Sequence, residues 1–257
     1  MPEGDTVHHT AARLDAALRG RVLTACDIRV PAYATVDLTG ETVEEVVSRG
    51  KHLLVRVGPS SIHTHLKMEG RWDVYGSGER WRAPGWQARI VLATAERVAV
   101  GFRLGLVEVV RRDAEQRVLG HLGPDLLGPD WDPEVAVANL GRDPRRPIGA
   151  ALLDQRNLAG IGNVYRSEIC FLLGVLPTTP VAEVPDLRAA VDLAHRLLEE
   201  NKVRFRRTTT GRRDREALWV YGRRGPCLRC GTPVRRGQEP GDVGRERVVH
   251  WCPTCQR

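Results

Sequence analysis

A chain of 257 residues is long enough for one large domain or two ordinary ones with proper cores, and none of its runs approaches the ~18 consecutive apolar residues of a membrane span. Its net charge of +7 is unevenly placed, because residues 201 to 257 hold fifteen Lys and Arg against five Asp and Glu while the rest carries a slight acidic excess. That cationic quarter suits a polyanion such as nucleic acid, with an arginine-rich solvated face as the plain alternative.

The chain opens "MPEGDT", and its first thirty residues mix charge with apolar residues rather than forming a secretory signal, so a cytoplasmic protein is expected. Residues 3–19 place Val7, Ala11, Leu14 and Leu18 at helical spacing, which predicts a helix whose amino end lies beside Pro2. Proline is a small second residue of the kind that permits removal of the initiator methionine, leaving a secondary amine. An α-amino group has an ordinary pKa of about 7.7 to 8.0, so a useful fraction is unprotonated and nucleophilic near neutrality. The same proline also suits a first helical turn, where its missing N–H costs nothing.

From about residue 21 to residue 111 the period changes. "RVLTACDIRV", "HLLVRV", "SIHTHL", "ARIVLA", "RVAVGF" and "LVEVVR" read as strands of an antiparallel sandwich, with turns at "GPSS" and "GSGER". "GPDLLGPDWDP" marks a boundary, since two Gly-Pro steps precede a capping Asp132 and Pro133. Helices are predicted at 133–140, 147–155, 163–173 and 186–201, the last with Leu187, Val191, Ala194 and Leu198 on one face. The expected fold is α+β and multidomain: a leading helix and antiparallel β-sandwich over 1–123, a helical domain over 124–219, and a cysteine-bearing hairpin over 220–257.

Four of the six cysteines form "CLRC" (Cys227, Cys230) and "CPTC" (Cys252, Cys255), with twenty-one residues between the pairs. This spacing suits four thiolates converging tetrahedrally on Zn²⁺ from the ends of a β-hairpin. Two disulfides or a redox pair fit poorly in a reducing cytosol and outside a βαβ unit. Cys26 and Cys170 lack partners at ligand spacing and read as small hydrophobes. His250, close to the cysteines, reads as packing because four thiolates already complete a site. In "LLDQRNLAGIGNVYRSEICFLLG", turns at Gly160 and Gly162 would aim bare backbone N–H groups at one point where a helix begins, an anion site suited to phosphate. Asn163 opens that helix, where an ordinary N-cap is the alternative.

"PEG" at the amino terminus, "RGKHLL" at 49–54, "NLAGIGNVYRSE" at 157–168 and the terminal four-cysteine hairpin, in that order, resemble the formamidopyrimidine-DNA glycosylase and endonuclease VIII family over essentially the whole chain. The resemblance implies a helix-two-turn-helix domain, one structural zinc, and a monomer acting on double-stranded DNA that carries oxidised bases or abasic sites. It implies that the Pro2 amine attacks C1′ of the damaged nucleotide and that Glu3 is the general acid/base. Glu3 otherwise reads as a favourable charge at a helix amino end. Lys51, Asn163 and Arg247 match phosphate-holding residues, Lys51 and Arg247 also belonging to the catalytic set, and Gly160 and Gly162 fall in the DNA-binding turns. Met68 in "HLKMEG" matches a residue that fills the void left by an everted nucleotide, with a core methionine as the alternative, and Arg103 and Leu104 are expected to be its companions. The opening Pro-Glu-Gly-Asp and the short "TTTGRRDREALWVYG" segment favour the endonuclease VIII branch and oxidised pyrimidines. Oxidised-purine removal and a catalytically silent damage binder are the alternatives.

Overall fold

Val7, Ala11, Leu14 and Leu18 recur every three to four residues, and this stripe makes α1 (Gly4–Leu18) amphipathic and sinks it into the core of the first unit. The computed structural model describes residues 2–212, 217–239 and 247–257; Met1, residues 213–216 of the "TTTGRRDREALWVYG" segment and residues 240–246 of the hairpin lie outside the described residues. The chain divides into two units, Met1–His121 and Leu122–Arg257.

In the first unit β1 (Ala25–Ile28), β2 (Val43–Arg49), β3 (His52–Val57), β4 (Ser60–His65), β5 (Arg71–Gly76), β6 (Ala88–Ala93), β7 (Arg97–Phe102) and β8 (Leu106–Arg111) form two antiparallel sheets ordered β1-β6-β7-β5 and β2-β3-β4-β8. Leu53, Val55, Val57, Ile62, Ile90, Leu92 and Ala99 meet α1 in one core, the expected sandwich. Sequence patterning does not pick out β2 and β5, and both are edge strands. Their polar residues are tolerated there because partners lie to hand: Glu45 on β2 pairs with Arg56 at 2.5 Å, and Asp73 on β5 pairs with Arg71 at 3.1 Å. A single helical turn, α2 (Gln116–Leu119), closes this unit.

The second unit holds α3 (Pro133–Gly141), α4 (Ile148–Leu153), α5 (Asn163–Leu173), α6 (Leu187–Asn201) and a hairpin of β9 (Arg235–Glu239) and β10 (Arg247–Trp251). Asp132 caps α3 by accepting from the Glu134 and Val135 N–H groups, with Pro133 in the first turn, and Asp186 caps α6 through the Ala189 N–H. Gly174 ends α5 in the left-handed region at φ 77°, and the Val175 N–H returns to the Cys170 carbonyl. Cys170 is fully buried in the helical core, and Cys26 is half-buried against the sandwich core.

Candidate active site and nucleic-acid interface

Glu3 occupies the N-cap of α1, and its carbonyl accepts the Val7 N–H at 3.0 Å. A carboxylate in this position ordinarily turns back onto the first-turn amides. The Glu3 side chain makes no capping bond and is wholly buried, while Asp5 accepts the Thr6 N–H at 2.7 Å. The half-buried Pro2 directly precedes it. A secondary amine and a buried carboxyl group are thus set side by side at the start of one rigid element.

Lys51 sits in the two-residue turn between β2 and β3. Gly50 adopts φ 56° at the first position of that turn, a conformation that suits glycine, and this places Lys51 second. A row of imidazoles borders the turn, which motif reading misses; the alternation "HTH" beside "KH" is its only sequence signal. His63, 2 % exposed, donates from Nδ1 to Glu108 Oε1 at 2.6 Å and accepts at Nε2 from His52 Nδ1 at 2.7 Å, the tautomers following from the carboxylate. His65 accepts the Lys67 N–H on Nδ1 at 2.9 Å, so its Nε2 carries the proton. Burial, followed by the Lys67 and Lys51 charges, pushes the His65 pKa down to about 3. Burial and then the neighbouring imidazoles do the same for His52. His65 is therefore a neutral N–H donor flanked by two ammonium groups, an arrangement suited to a phosphate oxygen.

These values fix the sign of a pH effect. Unfolded histidine takes up a proton near pH 6.5 and these two do so only near 3, so the unfolded state binds more protons between those limits. Stability then falls as the pH drops through that window, by up to about 1.4 kcal/mol per pH unit for each histidine. Thermal unfolding followed from pH 7 to pH 4.5 should show a falling Tm. His52→Asn, which keeps a donor for His63, should flatten that fall, and an identical slope in the variant would show that His52 contributes nothing to it.

Met68 lies in the turn after β4 and is 67 % exposed, so it is not a core methionine. The backbone here is tight: Lys67 has φ 53°, and a Cβ on Gly105 would fall 2.2 Å from Cγ of Lys67. Arg103, at φ 48°, reaches Glu69 at 3.2 Å and lies 6.0 Å from the ring centroid of Trp86, which is itself exposed. Leu104 is buried in the sandwich core, so of the two expected companions Arg103 alone presents its side chain.

In the second unit the turns joining α4 to α5 are held by their own polar side chains. Asp154 accepts from Arg146 at 2.8 Å and from Arg156 at 2.9 and 2.6 Å, and the Arg156 hydrogen bonds hold its carboxyl well below the usual carboxylate range. Gln155 donates to the Leu153 and Ile161 carbonyls and accepts the Gly160 N–H at 3.0 Å. This corrects the expectation of a bare amide at Gly160: its donor is used internally, and its φ of 121° marks it as a turn former. Gly162, not Asn163, is the N-cap of α5, which leaves Asn163 in the first turn with its side chain released from a capping role.

α5 also anchors the hairpin. Fully buried Glu168 accepts the backbone N–H groups of Trp219, Val220 and Tyr221 at 2.7, 2.9 and 2.8 Å and the Thr209 hydroxyl, while burial pushes its pKa up. Buried Arg166 donates to the Val248 carbonyl at 2.8 Å. Beyond the helix, Gln256 donates to the Val175 carbonyl at 2.8 Å and the Arg257 N–H to the Gly174 carbonyl at 3.0 Å. Arg247 is the first residue of β10. His250 is buried edge-on to Tyr221 and takes no place among the thiols.

The sulfur atoms of Cys227, Cys230, Cys252 and Cys255 all lie within 4.8 Å of one another. Cys230 and Cys252 are 3.5 Å apart and Cys227 and Cys255 4.0 Å, well beyond a disulfide bond. Zinc–sulfur bonds of about 2.3 Å in a tetrahedron require sulfur–sulfur edges of about 3.8 Å, which these distances bracket.

Residues 1–103 match the formamidopyrimidine-DNA glycosylase N-terminal domain, and residues 122–209 match the H2TH domain of the same enzymes. Over the full chain the sequence is 60 % identical to a probable endonuclease 8 2 of Streptomyces coelicolor, covering 94 % of that protein. It is 55 % identical to a DNA-(apurinic or apyrimidinic site) lyase Nei2 of Mycolicibacterium smegmatis, covering 99 % of it, and 34 % identical to endonuclease 8 of Escherichia coli across both full chains. Among solved structures, MutM in complex with DNA containing carbocyclic 8-oxo-G superposes over the whole of both chains with a TM-score of 0.83 at 22 % identity, a likeness of fold. Lactococcus lactis Fpg in complex with DNA containing an abasic site gives 0.82 at 22 % identity over 99 % of both chains. With both domains matched in order and full-length relatives at this identity, the chain belongs to the formamidopyrimidine-DNA glycosylase family, which includes endonuclease 8.

Proposed function

We propose that the chain is a bifunctional DNA glycosylase and DNA-(apurinic or apyrimidinic site) lyase of base excision repair that removes oxidised pyrimidines as a cytoplasmic monomer. The observation that carries this reading is the pairing of Pro2 with a buried, non-capping Glu3 at the head of α1. Phosphate binding alone needs neither. With Met1 removed, the Pro2 nitrogen lone pair forms a bond to C1′ of the damaged nucleotide as the glycosidic bond breaks and the base departs with a proton. Glu3 delivers protons as the sugar ring opens to an iminium. The iminium draws electrons from C2′, so a C2′ proton is lost and the 3′ phosphate leaves, followed by the 5′ phosphate. Water then hydrolyses the iminium and frees Pro2. The relatives named endonuclease 8 support the endonuclease VIII branch of the family, and with it the reading of oxidised pyrimidines as the substrate.

Lys51, with the neutral His65 and Lys67 beside it, holds a phosphate in the first unit, and Asn163 and the first turn of α5, with Gly162 as its cap, hold another in the second. Arg247 adds a bidentate phosphate contact from the hairpin. Met68 and Arg103 fill the gap left by the everted nucleotide. One Zn²⁺ held by Cys227, Cys230, Cys252 and Cys255 fixes the hairpin, and four thiolates leave no position for a catalytic water. Sodium borohydride added during turnover on DNA containing an abasic site should reduce the iminium and leave the chain covalently joined to DNA through Pro2, read by peptide mass analysis. A cross-link on an internal lysine, or none from an active preparation, would overturn the mechanism.

A further inference from the structure

Residues 202–208, which follow α6, form a loop tied shut at its base by Asn201, the last residue of the helix. The buried Asn201 side chain accepts the Thr208 N–H and donates to the Thr208 carbonyl, both at 2.8 Å, and donates again to the Leu197 carbonyl. The Arg204 N–H returns to the Asn201 carbonyl at 2.9 Å, and Arg204 Nε bonds the Glu200 carbonyl at 2.7 Å. Asparagine is consumed here in replacing the backbone bonds that a surface loop would otherwise make to water. The two ends of the loop are thereby fixed.

What it holds out is apolar. Phe205 is 91 % exposed and Val203 76 %. Lone exposed apolar residues are ordinary, but here the two alternate with cations in "KVRFRR". Lys202 pairs with Glu199 at 2.6 Å, Arg206 is exposed, and the Arg207 guanidinium lies 4.6 Å from the ring centroid of Tyr165. Tyr165 stands two residues beyond Asn163, so the loop adjoins the opening of α5, where a phosphate contact is proposed above.

We propose that Phe205 is a stacking platform for an unpaired nucleobase, and that the loop binds single-stranded DNA with Arg204 and Arg206 on the flanking phosphates. The proposal rests on the DNA-binding reading of the chain and extends its substrate to unpaired strands. A base within a duplex has both faces covered by its neighbours, so an exposed ring finds a free face only on an unpaired base. Such stacking tolerates any sequence because every base has a π face. The alternation of ring and guanidinium fits the alternation of base and phosphate along one strand.

The test is fluorescence anisotropy of the full chain on a single strand, a duplex with a central bubble and a perfect duplex, each carrying a non-cleavable abasic analogue. Phe205→Ala should weaken binding to the single strand and the bubble by about 5- to 150-fold, the range for loss of one stacked base, and change the duplex by less than about twofold. Phe205→Trp should restore it. Equal losses on all three probes, no loss on any, or failure of the unaltered chain to bind the single strand would overturn the proposal. Failure of the unaltered chain to bind the abasic duplex would overturn the DNA-binding reading instead.

Discussion

Glu3→Gln is expected to lower base excision by about 10²- to 10⁴-fold, the usual worth of a positioned proton donor, while affinity for an abasic-analogue duplex stays within a few-fold. The substitution preserves size and the N-cap backbone, and because the Glu3 side chain makes no capping bond, α1 should lose little stability. Single-turnover excision on an oxidised-pyrimidine duplex, alongside anisotropy on the analogue, separates the two effects. A parallel collapse of binding and excision would make Glu3 a folding residue.

The second large effect lies far along the chain, at Glu168. Glu168→Ala would remove the acceptor of the buried Val220 N–H, of the half-buried Trp219 and Tyr221 N–H groups and of the Thr209 hydroxyl. At about 1 to 3 kcal/mol for a fully buried orphaned group and less for a half-buried one, a loss of about 4 kcal/mol is expected. For a chain of this size that is a fall in Tm on the order of 10 °C, and the segment leading into Cys227 should be released. Differential scanning calorimetry combined with a zinc-release assay reads both consequences. An unchanged Tm would mean that residues 219–221 are held in place by other contacts.

The layers of the fold were legible because they rest on periodicity: α1 and α6 show a 3.6-residue stripe, and the inner strands show runs of Val, Leu and Ile. The edge strands β2 and β5 were not legible, since an edge tolerates charge that imitates a loop. At the site, the four cysteines could be named from residue type and spacing, whereas the roles proposed for Pro2 and Glu3 came through the family resemblance and not from the residues alone. The row of Glu108, His63 and His52 could not, because β8, β4 and β3 bring together residues separated by 45 and 11 positions. Gln155 escaped for a different reason. Its effect is to occupy the Gly160 N–H that the expected anion site would have used, and only an observed hydrogen bond reveals that.

One helix carries a further implication. Asn163 stands at the head of α5, and Arg166 and Glu168 grip the hairpin strand β10 and the approach to it a turn later. The two proposed phosphate contacts, Asn163 and Arg247, are therefore mounted on a single frame, as on a gauge of set length. On that proposal a duplex whose phosphates are spaced otherwise is not met by moving the hairpin, because moving it would strip the buried Arg166 guanidinium of the Val248 carbonyl. The misfit would then be taken up by the DNA, bending or twisting until its spacing agrees. A duplex already weakened by an abasic site or a damaged pair would yield most readily, so with both contacts made as proposed, stiffness itself would be measured before any base is read.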